Sequence, residues 1–217
     1  MDADKVMFED IRLHVSKVKV NPAVIYAQSQ ALQQTNAKYP FTQTLIKQMT
    51  IQAGSTYDNI FQGKRPNLVV VRFVNAISVS GSYEQNPWFF QSYAISSIGL
   101  YVDGIPVGGN PLKLKYSENG GQTVNPVLRS MLQSTGKCLS DTGLNLERDD
   151  IGQGYSLYTF DLEPAFRTSQ YLSLIKQENV RLETKFGSAL TEAGSCIIYC
   201  EYPGYFEINT ARDVVSP

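Results

Sequence analysis

Apolar and polar residues alternate along much of this chain, which is the pattern of β-strands with one buried face. The clearest alternation covers residues 180–187, where the even positions are Val, Leu, Thr and Phe and most odd positions are charged. An antiparallel sheet with one face in water has this pattern. Ile98, Leu100 and Val102 alternate in the same way and lead into a turn at Asp103-Gly104. Both segments are therefore predicted as strands.

Further segments are predicted as strands from their apolar content. Residues 68–74 are almost continuously apolar, which is typical of a strand that is covered on both faces. Residues 42–53, 155–162 and 196–202 are also rich in apolar side chains. A last short strand is predicted at residues 205–209, after a Pro-Gly turn.

The N-terminal alternation changes phase partway along. Its apolar positions are Ile11, Leu13, Val15, Val18 and Val20. Because the phase slips near Ser16 and Lys17, the pattern predicts a strand with a β-bulge or a change of sheet partner at that point. His14 lies within this strand, and we expect it to be half-exposed.

Two stretches have helical spacing. Asn21 is a favourable N-cap for a helix that begins with Pro22 and runs to about Leu32. A second helix opens at Asn125-Pro126, has apolar residues at helical intervals, and is expected to stop near Gly136.

This order of elements predicts an all-β fold. Strands without a helix between most of them favour an antiparallel β-sandwich over a doubly wound sheet. Residues 105–154 form a long, loop-rich insertion, which a jelly roll accommodates better than an immunoglobulin-type sandwich with its shorter connections. We therefore predict one jelly-roll domain over residues 1–217, with two short helices.

The composition narrows the function. The chain has 217 residues and a formal net charge of −1, whereas domains that bind nucleic acid over a broad surface are strongly basic. No apolar run approaches the roughly 20 residues of a membrane-spanning helix, and the N-terminus lacks the apolar region of a signal peptide. We expect a protein that is not secreted, does not enter a membrane and has no strong direct affinity for nucleic acid.

Few side chains are available for catalysis. His14 is the only histidine, so most zinc sites, a Ser-His-Asp triad or a Cys-His dyad would all depend on it. Cys196 and Cys200 lie on one face of a predicted strand about 13 Å apart, which is too far for one disulfide. With Cys138 they are expected to be reduced thiols. Enzymes without histidine exist, so this composition narrows the catalytic options without closing them. We predict no catalytic residue, no cofactor, no metal and no enzyme activity.

Two polar motifs are weak. Residues 134–137 (STGK) lack both the first glycine of a phosphate loop and the Ser or Thr after its lysine, so a helix end is the better interpretation. An acidic cluster surrounds Arg148 and consists of Asp141, Glu147, Asp149 and Asp150. A solvated loop is favoured there, with a cation site or a glycosidase carboxylate pair as alternatives.

Aromatic residues are the most distinctive content. Trp88, Phe89, Phe90 and Tyr93 place four rings within six positions. Aromatic platforms bind sugars or stack bases, so a lectin-like carbohydrate-binding β-sandwich is an alternative function. No polar residues suited to a sugar stand nearby, which favours rings that fold onto the sandwich or form a subunit interface. These four residues are our candidate interface.

The order of the segments resembles the C-terminal part of the double jelly-roll major capsid proteins of Polinton/Maverick elements and their adintovirus relatives, found in animal genomes as "F54H12.2-like" proteins. The stretches that carry the resemblance are FEDIRL (8–13), KVKVNPAV (17–24), AKYP (37–40), GSYEQNP (81–87), LYVDG (100–104), GYSLYTFDL (154–162) and NVRLETKF (179–186).

The resemblance implies a structural protein of the virion. In that family, one chain folds into two jelly rolls, and three chains form a pseudo-hexagonal capsomer that tiles a shell around double-stranded DNA. The expected partners are thus copies of the chain in trimer and shell contacts, other capsid proteins, and an N-terminal jelly roll missing from this chain. The insertion corresponds to the loops that form the outer tower of such capsomers, and assembly is expected inside the host cell.

Overall fold

The computed structural model describes residues 7–51, 56–61, 63–116, 123–139, 143–163 and 174–216. The strands in these ranges are β1 (Ala37–Thr50), β2 (Thr56–Phe61), β3 (Leu68–Asn75), β4 (Ile95–Val102), β5 (Ile105–Pro106), β6 (Leu112–Lys113), β7 (Leu157–Asp161), β8 (Val180–Phe186), β9 (Gly194–Ile208) and β10 (Val214–Val215). The α-helices are α1 (Pro22–Gln34), α2 (Ala76–Val79) and α3 (Asn125–Ser134), and 3-10 turns lie at Lys137–Leu139 and Asp149–Gly152.

The strands form two sheets in a jelly-roll order. One sheet has the order β1-β9-β3-β7, with β10 beside β9, and the other has the order β2-β8-β4-β5, with β6 beside β4. The pairings of β3 with β7 and β9, and of β8 with β2 and β4, are antiparallel. Strands that follow one another in the chain mostly lie in different sheets, as in a double-sheet jelly roll. The predicted all-β, antiparallel β-sandwich of jelly-roll type is confirmed.

The chain divides into two compact units. One comprises residues 1–38 and 207–217, and the other comprises residues 39–206. The larger unit contains most of the sandwich. The smaller unit contains α1, the N-terminal segment and β10.

The core lies between the two sheets of the larger unit. Side chains of β3, β7 and β9 share one buried cluster with those of β2, β4 and β8. Phe73 on β3 meets the Phe186 ring of the opposite sheet edge-to-face, with 6.3 Å between the ring centres. Phe61 and Tyr202 make a second edge-to-face contact between the sheets at 6.0 Å. Such pairs add about 0.5–1.5 kcal/mol to the stabilisation from apolar burial.

Strand β8 has one buried apolar face and one charged face towards solvent, as its alternating sequence predicts. Val180 and Leu182 are fully buried, whereas Arg181 is partly exposed and Lys185 is exposed. The same sequence pattern has a different outcome at residues 7–20, where the predicted strand is wrong. These residues have no regular secondary structure and are all exposed, and His14 is therefore not on a strand. A strand requires a neighbouring backbone for its N–H and C=O groups, and the described residues supply none to this segment.

The predicted turn at Pro203-Gly204 is also wrong, because β9 continues through it. Proline removes one ladder hydrogen bond, and Pro203 lies beyond the end of the pairing of β9 with β3, at Glu201. At Gly204, an added Cβ would lie 3.0 Å from the Phe41 ring, so glycine permits that ring to pack on the strand. The strands predicted at 196–202 and 205–209 are thus one strand.

The two predicted helices are confirmed. The Asn21 side chain accepts a hydrogen bond from the Ala23 amide at 3.0 Å, and α1 extends to Gln34. Helix α3 ends just before Gly136, which has the positive φ of +71° that glycine adopts without strain. This helix packs on β7, and the Thr159 hydroxyl donates to the Ser130 hydroxyl at 2.9 Å. The insertion therefore carries β5, β6 and α3 against the sandwich.

Candidate interaction surfaces

The aromatic loop, residues 80–94, is attached to the sandwich by its backbone. The Asn86 side chain accepts from the Trp88 amide at 2.9 Å, which fixes a turn before the rings. The Phe90 amide then donates to Gly154 and the Gln91 amide donates to Phe73, each at 2.8 Å. These two backbone hydrogen bonds fix the loop beside β3.

The Arg72 guanidinium packs against two rings of this loop. Its guanidinium carbon lies 5.6 Å from the centre of the Trp88 ring and 4.9 Å from that of Phe90. The two rings meet edge-to-face at 6.4 Å. Each cation–π contact contributes about 0.5–2 kcal/mol, depending on how far water is excluded. Burial lowers the pKa of the Arg72 guanidinium.

The four rings of the candidate interface divide into two pairs. Trp88 is 70% exposed and Phe89 is also exposed, whereas Phe90 is buried and Tyr93 is partly buried. Phe89 packs over Gly154, where an added Cβ would lie only 2.7 Å from the ring. Trp88 and Phe89 are therefore available to a partner, and Phe90 and Tyr93 fasten the loop.

The C-terminal end of the aromatic loop is strained. Tyr93 and Ala94 have φ values of +44° and +47°, in the left-handed region that L-residues other than Asn and Asp seldom occupy. The buried Tyr93 hydroxyl has no hydrogen-bond partner among the described residues. Burial and the nearby Glu192 carboxylate raise the pKa of Tyr93 to about 12. The loop thus combines backbone strain with an unsatisfied hydroxyl, which sequence patterns did not indicate.

A second surface lies at the N-terminal side of the chain. None of residues 7–50 is buried, although the segment contains many large apolar side chains. Those that are largely exposed include Phe8, Ile11, Leu13, Val18, Tyr26 and Ile46. Helix α1 has no buried residue. Singly exposed apolar residues are ordinary, whereas large exposed apolar patches are typical of interaction sites.

Polar contacts organise the smaller unit. The Asn36 amide donates to Glu207 at 2.8 Å, and the Lys38 ammonium lies 3.2 Å from the same carboxylate. These contacts lower the pKa of Glu207, with the Asn36 hydrogen bond as the largest cause. The Thr210 hydroxyl donates to the Leu32 carbonyl at 2.7 Å. The unit is therefore held together by hydrogen bonds and an ion pair, and most of its described apolar side chains are exposed.

A charged cluster fastens one end of the sandwich. Arg65 contacts Glu163 at 2.6 Å and Glu178 at 3.1 Å, and all three side chains are largely buried. The Arg65 amide also donates to the Lys176 carbonyl at 2.8 Å. The cluster joins three separate segments of chain, and we assign it a structural role.

The three cysteines are free thiols, and the STGK motif forms the end of a helix. Cys196 and Cys200 are buried free thiols, and burial raises the pKa of Cys196 to about 12 and that of Cys200 further. Cys138 is a free, exposed thiol. The hydroxyls of Ser134 and Thr135 donate to the Met131 carbonyl, so residues 134–137 form the end of α3 as predicted.

The acidic cluster is engaged locally. The Asp150 carboxylate accepts from the Glu147 amide at 2.8 Å, and Asp149 lies 3.4 Å from the Arg148 guanidinium. Asp141 lies outside the described residues. Across the described ranges, no three His, Cys, Asp or Glu side chains are grouped so that they could hold a metal ion. In the same ranges, no helix has both the length and the apolar character to cross a membrane.

A cavity of about 600 Å³ lies beside α3 and is lined by residues that include Val107, Leu112, Ser130, Cys138 and Phe160. Its lining is mostly apolar, and it lacks the group of convergent charged side chains that a substrate site uses.

No family model matches this chain. Among curated proteins, it is 22% identical over 186 residues to the uncharacterized protein F54H12.2 of Caenorhabditis elegans, a match that covers 82% of this chain and 43% of that protein. Among solved structures, it is similar to a chain of the Sputnik virophage, determined by cryo-EM at 3.5 Å resolution. That match has a TM-score of 0.50 at 13% identity and covers 84% of this chain and 39% of the other. A chain of the quasi-atomic model of the PBCV-1 virus capsid matches with a TM-score of 0.45 at 11% identity, covering 88% and 54%.

These similarities bear on the fold and on the length. The virophage match supports the fold described above. The chain spans less than half the length of both the nematode protein and the virophage chain.

Proposed function

We propose that this chain is a viral or virus-derived capsid protein of the virion, corresponding to one jelly roll of a double jelly-roll major capsid protein of the Polinton/Maverick and adintovirus type. The observation that carries the proposal is the jelly-roll sandwich, which is similar to a chain of a virophage over 84% of its length. The resemblance of the ordered sequence segments supports the same family.

The surfaces support a role in assembly. Residues 7–50 expose apolar side chains on one part of the chain, and Trp88 and Phe89 expose them on another. A shell subunit needs several such surfaces, because each copy contacts more than one neighbour. The near-neutral net charge also suits close packing of identical copies, since a high charge would make them repel one another.

The proposal extends to the whole assembly. Three copies would form a pseudo-hexagonal capsomer, each with an N-terminal jelly roll in addition to the one described, and the insertion over residues 105–154 would project as the outer tower. The relatives leave room for a second domain, since this chain spans 43% of the nematode protein and 39% of the virophage chain. The contacts made by Trp88 would then be with other copies or with that N-terminal jelly roll.

Electron microscopy and light scattering of the full-length gene product test the proposal. We expect trimers, and shell fragments or particles at high concentration. The Trp88→Ala variant should assemble less well than wild type, while Tyr83→Ala, which removes another exposed aromatic ring of the same loop, should assemble normally. Protein that stays monomeric under all conditions would contradict the capsid function. Normal assembly of Trp88→Ala would remove the loop from the interface.

The lectin-like alternative has one observation in its favour, the 70% exposure of the Trp88 ring beside the Arg72 guanidinium. A glycan array separates the two functions. Binding of a glycan that is lost in Trp88→Ala, together with an absence of particles, would favour the carbohydrate-binding module.

A further inference from the structure

Two unpartnered features of this chain complement each other. Residues 8–20 alternate as a strand does, yet they have no sheet beside them in the described part of the structure. Strand β1 stands at the end of its sheet, next to β9, and no further strand covers its outer side in the described ranges. We propose that residues 8–20 form a β-strand in the assembled protein and pair with the outer edge of β1 in a second copy of this chain.

The lengths of the two features match. The segment has 13 residues and β1 has 14, so each extends about 40–45 Å as a strand. An exposed edge strand of this length is a ready template for another chain, and many proteins shorten, charge or cover such edges. β1 contains Lys38, Pro40 and Lys47, which are residues of this protective kind, but it also exposes Phe41, Leu45 and Ile46. The length and composition of this edge favour a strand as its occupant.

The phase slip in the segment has a role in this arrangement. In a straight strand, Leu13 and Val15 would face the opposite side from Val18 and Val20. A bulge near Ser16 and Lys17 would bring all of these side chains to one face. A single apolar face then covers apolar surface of the neighbouring copy, and Leu13, which is 89% exposed in the described chain, is removed from water.

A second copy is the occupant that accounts for both features at once. Each copy offers a strand and accepts one, so three copies close a ring without leaving either feature uncovered. Each copy then engages the segment and β1, together about the 20–30 residues a side of a stable interface. A preceding domain that received residues 8–20 would leave the β1 edge exposed. The inference rests on the proposed shell-forming function and specifies one of its contacts.

Matched charge substitutions test the pairing in the full chain. Leu13→Lys/Val15→Lys places two charges on the proposed buried face, and His14→Lys/Ser16→Lys places two on the opposite face. We expect the first variant to raise the dissociation constant of the wild-type oligomer by about 100-fold or more, and the second to change it little. Light scattering across a wide concentration range measures this difference. Ile46→Lys, on the accepting strand, should also weaken association.

Amide hydrogen exchange identifies the occupant. In the wild-type oligomer, residues 8–20 should exchange at least about tenfold more slowly than in the dissociated Leu13→Lys/Val15→Lys variant. A monomer with the segment protected would mean pairing within one chain. A monomer in which residues 8–20 are unprotected would show that they do not pair with a second copy. Protection of residues 8–20 only when a preceding domain is present would show that they pair with that domain. Each of these results overturns the inference, as does an oligomer that survives Leu13→Lys/Val15→Lys.

The proposed function fails in a different way. Particles that form normally from Leu13→Lys/Val15→Lys would retain the capsid function and exclude this contact. Wild-type oligomers that depend on Leu13 and Val15 but never form shells would retain the contact and exclude the capsid function.

Discussion

Residues 7–20 and strand β8 have the same kind of sequence pattern and opposite surroundings. Val180 and Leu182 of β8, which lies between β2 and β4, are fully buried in the core, whereas Leu13 and Ile11 are 89% and 84% exposed. Alternation of apolar and polar residues therefore shows that a segment is suited to a β-sheet. It does not show whether the neighbouring strand comes from the same chain or from another one. Under the proposed function, an apolar segment with no partner strand among the described residues is where a partner from another chain is expected.

The largest expected difference between the regions concerns stability. Phe73→Ala removes a ring that is fully buried and contacts Tyr158 and Phe186, so it should lower the free energy of unfolding by about 3–5 kcal/mol. Phe8→Ala removes a ring that is 82% exposed and should change it by less than about 0.5 kcal/mol. Urea denaturation of the dissociated protein measures both. A large loss in Phe8→Ala would show that the N-terminal segment packs within the monomer.

Alkaline pH should destabilise the core. Burial raises the pKa of Cys196 from its ordinary value near 9 to about 12, so the folded state retains a proton that the unfolded state releases. The stability is therefore complete below pH 9 and is lost as the pH rises towards 12, by about 1 kcal/mol per pH unit for this thiol. Denaturation at several pH values should show a shallower decline for Cys196→Ala. An equal decline of stability with pH in wild type and Cys196→Ala would contradict the raised pKa of Cys196.

Ion pairs should differ according to their burial. Arg65→Ala leaves the largely buried Glu163 and Glu178 carboxylates without their main cation, which should cost about 2–4 kcal/mol. Arg148→Ala breaks an exposed pair with Asp149 and should cost less than about 1 kcal/mol. Thermal denaturation of the two variants compares them directly. Similar losses would mean that the Arg65 cluster is not a structural fastening.

The smallest effect is expected at the aromatic loop. Trp88 is the only tryptophan, so its fluorescence reports this loop alone. Arg72→Ala removes the guanidinium below the Trp88 and Phe90 rings and should cost about 1 kcal/mol, with easier acrylamide quenching of the tryptophan. Arg181→Ala, which acts on the Tyr101 ring instead, should leave the quenching unchanged. Unchanged quenching in both variants would show that Arg72 does not hold the loop.

Much of the sandwich could be predicted from the sequence because its signals are local. The alternation of residues 180–186, the continuous apolar run at 68–74 and the cap at Asn21 each depend on neighbours in the sequence, and each is confirmed. The continuity of β9 through Pro203 could not be predicted in this way. It depends on where β3 stops, and β3 is more than a hundred residues away in the chain.

The candidate interface could be predicted only in part. The cluster of rings is visible in the sequence, but the division between exposed Trp88 and buried Phe90 depends on Arg72, which lies on another strand. The positive φ values of Tyr93 and Ala94 were also hidden, because neither residue type signals a left-handed backbone. Contacts between distant segments set both features.

The two consecutive left-handed residues bear on how the aromatic loop can respond to a partner. Each such L-residue costs about 1–2 kcal/mol relative to an ordinary conformation, and neither Tyr93 nor Ala94 is a glycine that would avoid the cost. The backbone of the loop is therefore strained, and Phe90, Arg72 and the strands on either side hold it in this conformation. A docking subunit that allowed these two residues to relax would recover this free energy, and part of the affinity would then originate in the loop rather than in the contact.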